Sequence, residues 1–402
     1  MAVVLRLGVA GIGIAFTQVY PHLKEIADKV RLTAVADIRR EALESFKAKN
    51  RDVEIFESVE QMCASPQVDA VWVATPNALH AEHSIMAAEH GKHVICEKPM
   101  GITLEQCDAM IRAAEKNRVK FVQGHSKIYD APVKKMREIV LSGQLGRVIQ
   151  INTWNFNDWL LRALTPSEVD TDLGSGVVFR QGPHQVDTVR FLGGGLVRSV
   201  RAVAGRWAPN FPGCEGDYTA LLEFESKAAA TMVFNGYGYF DITELTWEIG
   251  EGGQKMLNSD SLLKRPHPTG PIEPVKKYAL VEAGNPYGYS SNGGPDMTAP
   301  RKQPFFGLTV VGCERGVIRQ SPEGLYVYGA EGREEVPCPP SLGRAAELLE
   351  LHEAVTEDRE PFLDANWGKA TVEVILAILQ SSKERREVLL KHQVPCREIA
   401  GW

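Results

Sequence analysis

Val4-Leu5-Arg6-Leu7-Gly8-Val9-Ala10-Gly11-Ile12-Gly13-Ile14-Ala15-Phe16 opens the chain with an apolar run that breaks into a glycine-rich turn. A strand that is apolar without alternation belongs in a parallel sheet covered on both faces. Gly11, Gly13 and Ile14 form a turn into a helix start, where a pyrophosphate can approach the backbone closely. Phe16 occupies the place of the usual third small residue, so helix and strand must pack differently there. The run has no basic leader and is broken by glycines, which predicts a buried strand rather than a secretion signal.

The same grammar repeats over the next hundred residues. Short apolar strands are predicted at Val4–Ala10, Leu32–Asp37, Ala70–Ala74, His93–Cys96 and Lys120–Gly124, with amphipathic segments such as His80–His90 and Leu104–Asn117 between them. This alternation predicts an α/β, doubly wound, nucleotide-binding (Rossmann) domain over residues 1–125. Asp37 ends its strand 21 residues beyond Phe16, where a carboxylate can accept both ribose hydroxyls and repel a 2′-phosphate. That favours NAD, while Arg39 and Arg40 leave NADP open. Thr75, Pro76 and Asn77 follow another strand at the carboxyl edge of the sheet, where cofactor contact and helix capping are both open readings. His80, His83, His90 and His93 lack an accompanying carboxylate motif and read as helix-surface residues, not a metal site. Glu97-Lys98-Pro99 ends a further strand and brings a lysine to the same edge.

Composition bounds the rest. A length of 402 residues suits two domains, and 44% hydrophobic content is enough for their cores. A net charge of −6 gives no support for a nucleic-acid or anionic-membrane partner. Seven cysteines scattered without a Cys-x-x-Cys pair predict reduced thiols and a cytoplasmic setting. No stretch of 18 apolar residues predicts a membrane span.

From about residue 146 the pattern changes. Val148–Phe156, Tyr218–Glu225 and Ala228–Phe240 are rich in β-branched and aromatic residues, which predicts an open, mainly antiparallel sheet. Helices are predicted at Ala131–Leu141, near His184–Leu192, and at Arg344–Val355 and Gly368–Val388. Residues 126–402 therefore read as an α+β domain with helices on one face. Gly193-Gly194-Gly195 follows a helix and reads as its stop. Eight prolines between Pro266 and Pro304 mark 257–305 as an insertion, read as a lid or interface arm.

The ordered set of glycine turn, acidic strand end, Thr-Pro-Asn, Glu97-Lys98-Pro99 and His184-x-x-Asp187 resembles the glucose-fructose oxidoreductase / inositol dehydrogenase / MocA family. The resemblance covers essentially the whole chain and implies a nicotinamide-dependent oxidoreductase of CH–OH or CH–CH donors that forms homodimers or homotetramers. It implies Lys98 and His184 as catalytic residues. It implies a cofactor site drawn from Gly11, Gly13, Ile14, Asp37, Arg39, Thr75, Pro76, Asn77, His80 and Glu97. Arg180 departs from the family, which usually has aspartate four residues before the histidine. A planar, permanently charged fork there suits a substrate carboxylate, or else an internal ion pair to Asp187 or Asp172. Further stretches (Gly124-His125-Ser126, Tyr129-Asp130-Ala131-Pro132, Val177-Val178-Phe179-Arg180-Gln181 and Phe305-Phe306-Gly307-Leu308) resemble the members that oxidise a phthalate cis-4,5-dihydrodiol. On that reading His125, Lys127, Asn155, Asn157, Trp159, Arg162 and Arg180 form the substrate pocket, Trp154 and Phe156 being equally well read as core. A sugar, sugar-acid or cyclitol dehydrogenase, or a non-catalytic nicotinamide sensor, are the alternatives.

Overall fold

The computed structural model describes residues 4–256, 267–282, 295–296, 300–340 and 343–397. The chain divides into two compact units, Met1–Ser126 with Leu342–Val372, and Lys127–Ser341 with Glu373–Trp402.

The first unit holds a six-stranded sheet of β1 (Leu5–Ala10), β2 (Val30–Ala36), β3 (Glu54–Phe56), β4 (Ala70–Val73), β5 (His93–Glu97) and β6 (Phe121–Gly124). Every pairing is parallel and the spatial order is β3-β2-β1-β4-β5-β6. The order reverses between β1 and β4, which places a ligand crevice at their carboxyl ends. The connections run through α1 (Ile14–Val19), α2 (Arg40–Lys49), α3 (Val59–Ala64), α4 (His80–Glu89) and α5 (Leu104–Asn117). β4 is buried at every position, as its unbroken Ala-Val-Trp-Val run requires. α5 begins where the Thr103 side chain accepts from Gln106 N at 3.2 Å and ends on Arg118 in the left-handed region.

The second unit is built on a nine-stranded sheet. Its strands are β7 (Val148–Phe156), β8 (Val197–Gly205), β9 (Asp217–Phe224) and β10 (Ala229–Asn235), followed, after a short ribbon of β11 (Lys255–Met256) with β12 (Pro295–Asp296), by β13 (Leu308–Cys313), β14 (Gly316–Ser321), β15 (Gly324–Gly329), β16 (Gly332–Pro337) and β17 (Val388–Leu389). The order is β16-β15-β14-β13-β7-β10-β9-β8-β17. All pairs are antiparallel except β7 with β10, so the sheet is mainly antiparallel, as predicted, with one parallel pairing at its centre. The helices are α6 (Ala131–Ser142), α7 (Gly176–Arg180), α8 (Gly182–Gly193) and α9 (Pro274–Glu282). α6 packs on β14 and β15, and α8 on β7 and β10. α8 stops at Gly194, whose φ of +92° only glycine adopts freely. The opposite sheet face carries Trp154, Val203 and Leu221 at 45%, 57% and 49% exposure.

Two helices follow, α10 (Ala345–Thr356) and α11 (Ala365–Glu384). The sequence reading assigned the segment near 344–355 to the second domain. Instead Ala345, Leu348 and Leu351 of α10 lie in one hydrophobic core with Leu7, Val9, Trp72, Ile95 and Val122 of the first unit. Their i, i+3, i+6 spacing gives one apolar stripe, and the nearest uncovered apolar surface of that sheet accepts it. Gln123 N also donates to Leu363 O at 2.7 Å. Of the insertion 257–305, the stretches 257–266, 283–294 and 297–299 lie outside the described residues. No helix among the described residues is long and apolar enough to cross a membrane.

Candidate active site

The candidate cofactor residues lie in the first unit. Gly11 has φ +94°, its N–H donates to Ala36 O at 2.8 Å, and a Cβ there would stand 2.7 Å from Ala74 O. Only glycine fits that approach to the end of β4. Gly13 has open space where a Cβ would be, with no atom within 4 Å. Phe16 is buried in a trio with Tyr20 and Phe46, at centroid distances of 5.1 and 5.6 Å. The large third residue is thus accommodated by aromatic packing instead of close helix–strand contact.

Asp37 sits at the crevice, but its carboxylate is engaged. One oxygen accepts from Arg39 N and Nε, both at 2.9 Å, and the other from Ile12 N at 3.1 Å and Arg39 Nη2 at 2.9 Å. Four bonds fill the acceptor capacity of a carboxylate, so ribose hydroxyls can reach it only by displacing Arg39. Asp37, expected as a ribose acceptor, stands here as one half of an Asp37–Arg39 pair.

His80 is 1% exposed, not a helix-surface residue. Its ring nitrogens face Pro99 O at 2.7 Å and Thr75 O at 2.9 Å, tying the Thr75-Pro76-Asn77 loop to the turn after Lys98. His83 Nδ1 lies 3.0 Å from Thr75 Oγ1, and His93 Nδ1 accepts from Lys120 N at 3.0 Å. Asn77 is buried and begins a short 3-10 turn, Asn77–Leu79. The Lys98–Pro99 peptide is cis. The Glu97 carboxylate, expected at the cofactor, is held by Arg344 Nη1 at 2.7 Å. His125 is fully buried just after β6. No group of three or more His, Cys, Asp or Glu side chains able to hold a metal occurs among the described residues.

His184 and the remaining substrate candidates lie in the second unit. His184 sits in the first turn of α8, 6% exposed, with its ring 4.8 Å from that of Phe306. One residue on, Gln185 Nε2 donates to Thr153 Oγ1 and Val233 O, both at 3.1 Å, and its oxygen accepts from the Tyr218 hydroxyl. This clamp fixes α8 to β7 and β10 and so fixes where His184 stands; the sequence reading passed over it. Asp187, one turn along, is 3.9 Å from Arg190 Nη1, both fully buried. A cavity of about 10 Å³, the room of about one water, is lined by Lys127, Asp130, Thr153, Gln185, Thr188 and Phe306 among others.

The remaining pocket candidates are largely self-engaged. Lys127 Nζ donates to Glu251 O at 2.8 Å and lies 3.9 Å from Asp130. Asn157 Oδ1 accepts from Trp159 N at 3.1 Å, and its amide nitrogen is 3.5 Å from Asn155 Oδ1. Trp159 is 2% exposed and belongs to the core, whereas Trp154, which was read as pocket or core, stands on the open sheet face. Arg162 Nε bonds Asp158 at 3.0 Å. Arg180 does make an internal ion pair, with Glu168 at 3.1 Å, a partner the sequence reading did not name. Glu168 also holds Lys277 of α9 and accepts from Thr165 N at 2.8 Å in a capping box. Burial pushes the Glu168 carboxyl up, but Arg180 and Lys277 outweigh it and hold it down at about 2. Burial pushes the Lys277 ammonium down, and Arg180 adds to that while Glu168 opposes it. Thr165-Pro166-Ser167-Glu168 is a capping-box signature that the sequence reading passed over. Lys277, 109 residues from its partner, carried no local signal.

Gly11 lets the turn close against the end of β4 and Gly13 leaves open space beside the helix start, so the first unit fits a dinucleotide. Residues 5–125 match the family model described as oxidoreductase family, NAD-binding Rossmann fold, and 133–249 match the GFO/IDH/MocA C-terminal domain. A 1-carboxy-3-chloro-3,4-dihydroxycyclohexa-1,5-diene dehydrogenase of Comamonas testosteroni is 33% identical over 392 residues, spanning 94% of this chain and 95% of the relative. The myo-inositol 2-dehydrogenase of Thermotoga maritima is 30% identical over 244 residues, spanning 58% of this chain and 70% of that one. A crystal structure from Bordetella bronchiseptica, described as a dehydrogenase, superposes with a TM-score of 0.84 at 35% identity, over 96% of this chain and 100% of that one. With both halves of the family's fold in place and a relative matching along nearly its full length, the chain belongs to the Gfo/Idh/MocA family of NAD-binding oxidoreductases that act on CH–OH donors.

Proposed function

We propose that the protein oxidises a phthalate cis-4,5-dihydrodiol to 4,5-dihydroxyphthalate with NAD. The observation that carries this reading is the near full-length similarity to a dehydrogenase named for a carboxylated dihydroxycyclohexadiene.

NAD, when bound, supplies the hydride acceptor. Lys98 orients the reacting hydroxyl and stabilises developing negative charge on its oxygen. His184 takes the hydroxyl proton, its ring position fixed by the Gln185 clamp and by Phe306. Loss of hydride from the carbinol carbon gives an enone, which tautomerises to the aromatic catechol. Aromatisation makes the oxidation downhill, so the residues mainly position groups and move a proton. A second copy of the chain is the partner this reading assigns to the open sheet face of Trp154, Val203 and Leu221.

The test is reduced-cofactor formation at 340 nm with the dihydrodiol, myo-inositol and several sugars, for wild type and Lys98→Ala. Turnover of the dihydrodiol that Lys98→Ala abolishes is expected. Faster turnover of myo-inositol would favour the cyclitol reading that the Thermotoga maritima similarity supports.

A further inference from the structure

His80 stands between two backbone carbonyls. Its ring is buried, with Nδ1 2.7 Å from Pro99 O and Nε2 2.9 Å from Thr75 O. Both oxygens are acceptors only. A neutral imidazole carries one N–H and can satisfy one of them, and its other nitrogen then turns a lone pair towards a lone pair. Only the imidazolium, with two N–H groups, bonds both. The proton count of this ring therefore sets how many of the two segments it holds.

Those segments are the ones that frame the cofactor crevice. A Cβ on Gly11 would stand 3.2 Å from Thr75 N, so the Thr75 loop is packed on the glycine turn. Pro99 directly follows Lys98. A path thus runs from the glycine turn through Thr75 and His80 to the turn that carries Lys98, wholly inside the first unit. Around the ring, Glu97 and Lys98 lie at the end of β5, and Arg344 at the start of α10 holds Glu97 at 2.7 Å. The Cys96 thiol beside them is kept neutral by burial. His83, in the same helix, has its Nδ1 3.0 Å from Thr75 Oγ1. Burial pushes the titration of His80 down, the two carbonyls and Glu97 push it up, and Lys98 pushes it down again; burial prevails, leaving it below the ordinary histidine value.

We propose that His80 is a positioning residue with a proton-dependent hold: as the imidazolium it fastens the Thr75–Asn77 loop to the turn carrying Lys98, and on losing a proton it releases one of them, which weakens NAD binding. This concerns the cofactor and not the alcohol, so it is independent of the dihydrodiol reading. The two-bonded ring exists below its titration, so NAD binds tightest there and affinity is lost as pH rises through it. The coupling is reciprocal: NAD, by favouring the two-bonded ring, raises the pH at which that ring titrates. One charge-assisted hydrogen bond gained or lost changes Kd about tenfold, which equals about one pH unit at the ring.

The experiment uses the full chain with isotope-labelled histidine. Ring-nitrogen chemical shifts report the proton count of each histidine from about pH 5 to about pH 8, with and without NAD. The His80 signals are those lost in His80→Gln, or in His80→Asn where the glutamine variant does not fold. Calorimetry gives the Kd of NAD over the same range for wild type, His80→Gln and His83→Gln. In wild type, His80 is expected to gain its second proton within the range and to do so about one unit higher with NAD bound, while Kd rises about tenfold with pH. His80→Gln, whose single amide nitrogen does not titrate, should lose that slope and bind as weakly as wild type at the upper pH. His83→Gln should keep the slope. A His80 proton count that stays constant, a titration that NAD leaves in place, or a slope that survives His80→Gln or vanishes in His83→Gln overturns the proposal. None of these readouts involves turnover, so the dihydrodiol reading can fail while this inference stands, and the reverse.

Discussion

Glu168→Gln tests the buried charge cluster through stability. A carboxyl that ionises at about 2 in the folded protein and near 4.5 when unfolded contributes about 3 kcal/mol at neutral pH. Side-chain exposure of 12% means solvent screens little of this. Because the folded-state value is depressed, the contribution is fully present above the unfolded value and is lost as pH falls through the folded one. At pH 3.5 about 2 kcal/mol remains, and near pH 2 most is gone. Glutamine keeps the shape and an acceptor for Thr165 but removes the charge, leaving Arg180 and Lys277 without the carboxylate between them. Urea titrations followed by tryptophan fluorescence, at fixed protein concentration, measure wild type and variant at pH 7 and 3.5. A deficit of about 3 kcal/mol at pH 7 that narrows at pH 3.5 is expected. A deficit under about 1 kcal/mol at pH 7, or one that stays constant with pH, would refute the reasoning.

Arg39→Gln removes the positive half of the Asp37–Arg39 pair and bares a carboxylate beside the ribose position, so kcat/KM for NADP relative to NAD should fall by about tenfold; an unchanged ratio would show that Arg39 does not mask Asp37. Trp154→Asp places a charge at the centre of the open sheet face and should lower the oligomer mass in multi-angle light scattering, while leaving the circular dichroism spectrum in place.

The parallel sheet was legible because its strands are short, apolar and buried on both faces, a pattern with few alternatives. β3 escaped since three half-buried residues, Glu54-Ile55-Phe56, carry no periodicity. β7 was legible to the residue, whereas β14 to β16 were not, because Arg319, Glu334 and Glu335 interrupt any apolar alternation at the sheet's edge. For the site, the sequence named the residues that motifs hold in place: Gly11, Lys98, His184. It could not name their supports. Arg344 on Glu97, Gln185 on Thr153 and Lys277 on Glu168 pair groups 247, 32 and 109 residues apart, and such pairings exist only after folding. Arg180 shows the limit most plainly: its chemistry was readable, its partner was not.

The helix Ala345–Thr356, which packs on β2, β5 and β6, gives this protein an unusual order of completion. The nucleotide-binding unit starts before the second unit and is finished only after residues 127–341 have been made. Until residues 345–356 emerge, Leu7, Val9 and Ile95 lack part of the cover that α10 gives them. The nascent sheet must then wait through the synthesis of residues 127–344 with an apolar face partly uncapped, a state that invites chaperones. For the same reason the first 125 residues do not amount to a portable cofactor module. Any graft of this dinucleotide fold onto another protein has to carry the distant helix with it.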